Sequence, residues 1–380
     1  MPSYSSQDLL RIAKRFNNPK RTYLLVDPLQ AKHIPVSPGR ALEMMESLGD
    51  LLKKYPGPRL VIGFAETATA IGAAAASRSP GECVYLHTTR EELPGAEDWI
   101  LFSEEHSHAV EQKLWGGGLT ERIDRAEHII FVDDEISTGK TLINMAAQLH
   151  ARFPRLAGKE LVMACLIDRL SPEHEQRLAE AGIRCERLVK LPQADYDGAV
   201  AGLRVWEAAP PPPAEEHTFL HRELDCPPLP DPRKGVPIRS YLDCCGQMAR
   251  AFLGSAGGGL AGLDSAVVLG TEECMYPALV LGKALEERGL SVRCHATTRS
   301  PIGICGAPGY PITSGSKLPS FYGGPRDTYI YDPAPCGALI VVSDAPVCRR
   351  AALEALISVW APFGPRSFFF IQGGRHVWYL

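Results

Sequence analysis

The chain has 380 residues, enough for two domains that each bury their own core, and this length excludes a single small disulfide scaffold. Hydrophobic residues make up 45% and charged residues 22%, so neither a wholly disordered nor a fibrous chain fits, while 35 Gly and 32 Pro imply many loops. A net charge of −4 supplies no global basic field for a nucleic-acid interface and leaves small-molecule chemistry as the better expectation.

In chain order, residues 1–8 (MPSYSSQD) contain no apolar run, and no stretch approaches 18 uninterrupted apolar residues. The expectation is a cytoplasmic chain with no membrane span. Apolar runs of β type follow at 22–26, 60–64, 83–87, 128–132 and 160–167, separated by helical patterns at 41–54, 66–77, 140–152 and 172–181. Such an alternation predicts an α/β fold with a buried parallel sheet, flanking helices and right-handed crossovers. Four consecutive prolines, Pro210 to Pro213, and the nearby Pro227, Pro228, Pro230 and Pro232 then interrupt the pattern, which reads as a stiff exposed connector over 206–235. Beyond it the alternation resumes, with strands expected at 265–269, 291–297, 338–342 and 367–371 and helices at 277–288 and 349–359. The expected division is therefore a first α/β domain over 1–205, the linker, and a second α/β domain over 236–380.

The two halves share an order of residues. Gly63, Glu66, Thr89-Arg90 and Asp133-Asp134 are followed downstream by Gly270, Glu272 or Glu273, Thr298-Arg299 and Ser343-Asp344, at similar spacings. A degenerate internal duplication accounts for this order, with chance recurrence of strand-ending residues as the alternative. Eleven cysteines include no C-x-x-C pair, so reduced core thiols are expected and no metal cage is.

The segment 128–142 (HIIFVDDEISTGKTL) carries the chemistry. An apolar strand delivers Asp133 and Asp134 to its carboxyl end, where ligands bind in such sheets, and a hydroxyl- and Gly-containing loop then opens a helix. Amides at that helix start, with the Ser137, Thr138 and Thr141 hydroxyls, can surround a phosphate. The two carboxylates can accept hydrogen bonds from sugar hydroxyls, so the implied ligand is a ribose 5-phosphate. Gly139-Lys140-Thr141 is not a nucleotide-triphosphate P-loop, because the glycine required five residues before Gly139 is Asp134.

This segment resembles the phosphoribosyl pyrophosphate (PRPP) motif of the type I phosphoribosyltransferases. The resemblance implies that Asp133 and Asp134 bind the ribose 2- and 3-hydroxyls and that Ser137, Thr138, Gly139, Lys140 and Thr141 hold the 5-phosphate. It implies a pyrophosphate loop at Glu66, Thr67 and Ala68, and Arg90 acting on the leaving pyrophosphate. A lid is implied over 91–118, where His106 and His108 alone read as solvated. Magnesium would be bound mainly through PRPP, with no metal ligands supplied by a protein cage. Ser137 stands where the 6-oxopurine branch has Asp, which weakens an ordinary purine-salvage assignment. Over nearly its whole length the chain resembles the orotate-transferase-like proteins of bacterial tellurium-resistance and stress-response gene clusters, whose C-terminal domain is named TRSP; here Thr298-Arg299-Ser300-Pro301 follows a strand. Lys32-His33-Ile34-Pro35 also fits that pattern. The expected partners are PRPP and a small-molecule acceptor, with no nucleic acid and no membrane, and a homodimer is compatible with this. The expected activity is transfer of phosphoribosyl to a nitrogenous base-like acceptor, the alternative being a PRPP or nucleotide sensor without turnover. In the second domain, Pro346 and the lost Thr-Gly pair argue against a second PRPP site. Arg299, Tyr310, Lys317, Tyr322 and Arg326 are left for another ligand pocket, or for a structural or dimerising role.

Overall fold

The computed structural model describes residues 3–19, 21–102 and 112–380. No helix among them is long and apolar enough to cross a membrane. Two compact units emerge, and each draws on separated stretches of chain. Unit 1 centres on Glu43–Ala194 with Pro230–Leu242, and unit 2 combines Gln7–Leu42, Asp195–Leu229 and Asp243–Leu380.

Strands Arg11–Lys14 (β1) and Tyr23–Val26 (β2) pair antiparallel in a two-stranded sheet of their own. Tyr23–Val26 is thus not the first strand of the parallel sheet, as its apolar run suggests. Four residues with a charged partner strand can bury one face against their own unit without entering a sheet covered on both faces.

Unit 1 is built on Arg59–Gly63 (β3), Cys83–His87 (β4), a hairpin of Trp99–Phe102 (β5) and Gln112–Trp115 (β6), then His128–Ile136 (β7), Glu160–Asp168 (β8) and Ile183–Lys190 (β9). Leu220–Glu223 (β10), inside the proline-rich stretch, lies in the sheet of unit 2, and Val236–Pro237 (β11) pairs antiparallel with β4. The main sheet of unit 1 runs β11-β4-β3-β7-β8-β9, and all pairings from β4 to β9 are parallel. Every residue of β3 and the first five of β7 are buried, as expected of strands covered on both faces. Leu60, Ile62, Phe131 and Met163 lead its core. The helix Thr69–Ser77 packs close through its small residues, five Ala and one Gly: a Cβ on Gly72 would sit 3.3 Å from the Gly63 Cα and 2.9 Å from the Tyr85 ring.

Unit 2 contains Ser265–Gly270 (β12), Ser291–Ala296 (β13), a hairpin of Gly315–Pro319 (β14) and Asp327–Tyr331 (β15), Ala338–Ser343 (β16), Ser367–Gln372 (β17) and His376–Tyr379 (β18). Its sheet runs β10-β18-β17-β16-β12-β13, parallel from β17 to β13 and antiparallel at β18 and β10. Leu269, Val341, Trp360 and Phe370 lead its core. All eleven cysteines are free thiols.

The two units repeat one plan. Four parallel strands in the order β4-β3-β7-β8 correspond to β13-β12-β16-β17, and in each unit a hairpin follows the edge strand of this set. The hydrogen bonds at the strand ends agree one by one. Phe64 N–H donates to the Val132 carbonyl (2.9 Å) and Thr271 N–H to the Val342 carbonyl (3.1 Å); Thr88 N–H donates to Gly63 (2.9 Å) and Thr297 N–H to Gly270 (3.1 Å). Ala65 N–H donates to Thr88 Oγ1 (2.8 Å) and Glu272 N–H to Thr297 Oγ1 (3.0 Å). Thr89 exchanges two backbone bonds with Lys113, and Thr298 does so with Tyr329. These bonds choose between the two candidates: Glu273 is the counterpart of Glu66, and Glu272 that of Ala65.

His295 in β13 is buried, its Nε2 2.6 Å from the Tyr331 carbonyl and its Nδ1 accepting the Ala296 N–H at 2.7 Å. Both ring nitrogens are satisfied only in the neutral form. Desolvation accordingly pushes the imidazole down to about 4 from its usual 6.5. The unfolded chain therefore binds the extra proton first, and the stability that His295 contributes, complete above pH 6.5, is lost as pH falls towards 4 by up to about 3 kcal/mol. Denaturant midpoints measured from pH 7 to pH 4.5 should fall for the wild type and fall less steeply for His295→Gln.

Candidate active site

At the carboxyl edge of the unit 1 sheet, β7 outlasts β3. Their pairing ends at Gly63 and Val132, while β7 continues to Ile136 along β8 alone, with Asp133 opposite Cys165 and Glu135 opposite Ile167. The strand expected to end at 132 is thus four residues longer, and Asp133 and Asp134 stand on this overhang, where successive side chains alternate in direction. Asp133 Oδ1 accepts the Asp134 N–H at 2.9 Å. Both acidic residues are half-buried.

The overhang exists because the chain leaves β3 abruptly. A Cβ on Gly63 would lie 2.9 Å from the Ala68 carbonyl oxygen, so only glycine lets the Phe64–Ala68 turn fold back over the strand end. Ala68 N–H donates to the Phe64 carbonyl (2.9 Å) and Gly72 N–H to the Ala68 carbonyl (2.8 Å), leading the turn into the Thr69–Ser77 helix. The Ala65–Glu66 peptide bond is cis. Glu66 and Ala68 are buried, and Thr67 Oγ1 donates to Asp134 Oδ1 at 3.1 Å. That bond brings the proposed pyrophosphate turn and the acidic pair into one site.

The proposed 5-phosphate loop follows directly. Ser137, Thr138 and Thr141 are half-buried, Gly139 is buried and Lys140 is exposed. Gly139 caps the Lys140–Arg152 helix at φ 71°, a left-handed conformation suited to glycine, and Thr138 Oγ1 accepts the Lys140 N–H at 3.3 Å. The next helical amides point out of the helix start without intrahelical acceptors, which concentrates partial positive charge beside the loop. Arg90 follows the buried Thr88-Thr89 at the end of β4. Arg90, Glu66 to Ala68, Asp133, Asp134 and Ser137 to Thr141 therefore end or follow strands at one edge of one sheet. His106 and His108 lie outside the described residues; the described parts of the expected lid, 91–102 and 112–118, include the paired strands β5 and β6.

Two features had not been singled out. Thr88, fully buried, anchors the turn after β3 through Ala65 N–H and donates its hydroxyl to Gln112 on the hairpin, so one side chain ties together strand, turn and hairpin. Glu135 and Arg169 form an ion pair, each 13% exposed, across the ends of β7 and β8. The sequence signal for the pair was charge directly after an apolar strand, at Glu135 and at Asp168-Arg169. Among the described residues no group of three or more His, Cys, Asp or Glu side chains is placed to hold a metal.

Replacing Thr88 by Val should leave the buried Ala65 N–H without its acceptor, at a cost of about 1–3 kcal/mol. Chemical denaturation of Thr88→Val checks this, and an unchanged midpoint would contradict it.

Residues 9–194 match a family model described as phosphoribosyl transferase, and residues 248–360 match the TRSP domain that lies C-terminal to it. No curated protein matches the chain. Among solved structures, the adenine phosphoribosyltransferase of Giardia lamblia, complexed with 9-deazaadenine, is 14% identical at a TM-score of 0.35, covering 50% of this chain and 97% of its own. The orotate phosphoribosyltransferase of Aeropyrum pernix is 20% identical at a TM-score of 0.24, covering 40% and 71%. That of Mycobacterium tuberculosis in complex with PRPP is 14% identical at 0.24, covering 40% and 75%. By its two family matches, the chain belongs to the phosphoribosyl transferases that carry a C-terminal TRSP domain.

Proposed function

We propose that unit 1 transfers the phosphoribosyl group of PRPP to a nitrogenous acceptor and releases pyrophosphate. The observation that carries this reading is the Thr67–Asp134 hydrogen bond, which joins an anion-suited turn to an acidic pair lying directly before a Gly-capped helix. In the proposed reaction the bond from ribose C1 to the pyrophosphate oxygen breaks and its electron pair leaves with pyrophosphate, a C1–N bond forms, and the proton lost by the acceptor nitrogen passes to the departing pyrophosphate or to water. The amides at the start of the Lys140–Arg152 helix, with the Ser137, Thr138 and Thr141 hydroxyls, hold the 5-phosphate. Asp133 and Asp134 accept hydrogen bonds from the ribose 2- and 3-hydroxyls and stabilise positive charge developing at the sugar. Glu66, Thr67 and Ala68 present the pyrophosphate turn, and the Arg90 guanidinium offers two donors to the leaving group.

The donor set fits magnesium. Mg²⁺ prefers oxygen ligands and is commonly held by one or two carboxylates together with substrate phosphates, and Asp133 and Asp134 supply carboxylate oxygens where PRPP would supply the rest. When bound, the ion neutralises charge on the leaving pyrophosphate. Ser137 carries no carboxylate with which to take a proton from a purine ring, which favours an acceptor whose nitrogen is already nucleophilic.

Calorimetry with PRPP and Mg²⁺ tests the site: Asp133→Asn/Asp134→Asn should bind at least about 100-fold more weakly than the wild type, the loss of two charge-assisted bonds at about 1.5–3 kcal/mol each. Equal binding, or none by either protein, would overturn the assignment. Pyrophosphate release over a panel of bases tests transfer itself, and tight PRPP binding with no release for any base would instead support a sensor.

A further inference from the structure

The repeated plan of the two units raises a question that the first site does not answer: what occupies the corresponding edge of unit 2. There the acidic pair is reduced to Ser343-Asp344 and the loop after it carries Pro346. Thr298-Arg299 keeps the place of Thr89-Arg90. The position that is Ala65 in unit 1 is Glu272 in unit 2, and this exchange changes the chemistry of the edge.

Glu272 is fully buried. Its Oε2 accepts from Arg299 Nε at 3.0 Å and from Arg326 Nη2 at 3.2 Å, and its Oε1 accepts from Ser320 Oγ at 2.7 Å. Its own carbonyl lies 3.4 Å from Nζ of Lys32, which is itself fully buried. Two guanidiniums and a hydroxyl converging on one group form an anion-binding arrangement, and the anion here is part of the chain. Ser320 and Arg326 lie in the turn between β14 and β15, so the same carboxylate holds the hairpin turn against the strand ends. The backbone is strained to allow it: Glu272 sits at φ 46°, a left-handed conformation that long side chains rarely adopt. A residue kept in that conformation while its side chain is saturated by three donors is fixed by the network around it.

We propose that the Glu272 carboxylate is a built-in anion, taking in unit 2 the place that a ligand's anionic group takes beside Arg90 in unit 1, and that its removal exposes a pyrophosphate-class site made by Arg299, Arg326 and Ser320. This rests on the proposed reading of unit 1 for the identity of the mimicked group, and it explains why unit 2 keeps the arginine of the shared plan although the phosphate loop is lost. Unit 2 is on this view a copy whose ligand edge is occupied from within.

The test uses the full chain and inorganic pyrophosphate in metal-free buffer. Glu272→Gly removes the carboxylate and suits φ 46°, so folding is favoured over the usual alanine. Calorimetric stoichiometry should rise by one pyrophosphate per chain relative to the wild type, and Glu272→Gly/Arg299→Ala should lose the added site. Equal stoichiometry in the wild type and a folded Glu272→Gly would overturn the proposal, as would an added site that survives Arg299→Ala. Because the increment is counted from the wild type, a wild type that binds no pyrophosphate would count against unit 1 without touching this result. Phenylglyoxal modification of the wild type, mapped by peptide, decides independently of any variant: added pyrophosphate should leave the reactivity of Arg299 and Arg326 unchanged, whereas pyrophosphate protection of either would show that Glu272 does not close the edge.

Discussion

The hydroxyl of a buried threonine just after the edge strand of the four, β4 or β13, holds the carboxyl edge of each sheet together. In unit 1, Thr88 Oγ1 accepts the Ala65 N–H, and in unit 2 Thr297 Oγ1 accepts that of Glu272. A turn that leaves a parallel sheet inside the protein must find partners for its amides, and an unpaired buried N–H costs about as much as a lost hydrogen bond. With the threonine supplying that partner, the chain can bend immediately after Gly63 or Gly270, where a side chain would meet the Ala68 or Cys274 carbonyl oxygen. The bend clears one side of the next strand. In unit 1 the cleared strand runs on through Asp133 and Asp134, and the site exists because that overhang is left beside the turn.

The same scaffold then serves two ends through what stands at the equivalent of position 65. Ala65 carries only a methyl group, while the Glu272 carboxylate accepts from Arg299, Arg326 and Ser320. Charge-assisted bonds to a desolvated carboxylate are strong, and the hairpin turn is fixed by them. Catalytic use of the edge requires that the anion arrive from solution; structural use is served by one that never leaves.

Much of this was legible in the sequence because the deciding signals are local. Apolar runs such as 128–132 and 160–167 read as strands covered on both faces and are found so, and Asp133-Asp134 followed by Ser137-Thr138-Gly139 encodes strand, overhang and helix start within ten residues. The helix Lys140–Arg152 fell where its pattern placed it. What the sequence hid depends on partners far along the chain. Tyr23–Val26 is as apolar as a sheet strand, yet pairs only with Arg11–Lys14. The strands Gly315–Pro319 and Leu220–Glu223 are short, polar or half-exposed, and their pairing partners alone define them. The equivalence of Glu272 with Ala65 follows from counting two residues on from the matching Gly63 and Gly270, and the Phe64/Thr271 and Thr88/Thr297 bonds fix that register; what the sequence hid is the set of distant donors, Arg299, Ser320 and Arg326, that meet on the Glu272 carboxylate.

On the proposed reading one edge, on unit 1, receives PRPP, and its counterpart on unit 2 is already filled by Glu272. A crystal structure of the full chain grown with PRPP and Mg²⁺ tests it most directly. The expected result is ligand density with the 5-phosphate at the Ser137 to Thr141 loop, the ribose hydroxyls on Asp133 and Asp134 and the pyrophosphate beside Glu66 to Ala68, and an unchanged Glu272–Arg299 pair in unit 2. Ligand density on Arg299 and Arg326, or an empty Ser137 to Thr141 loop at saturating PRPP, would contradict it.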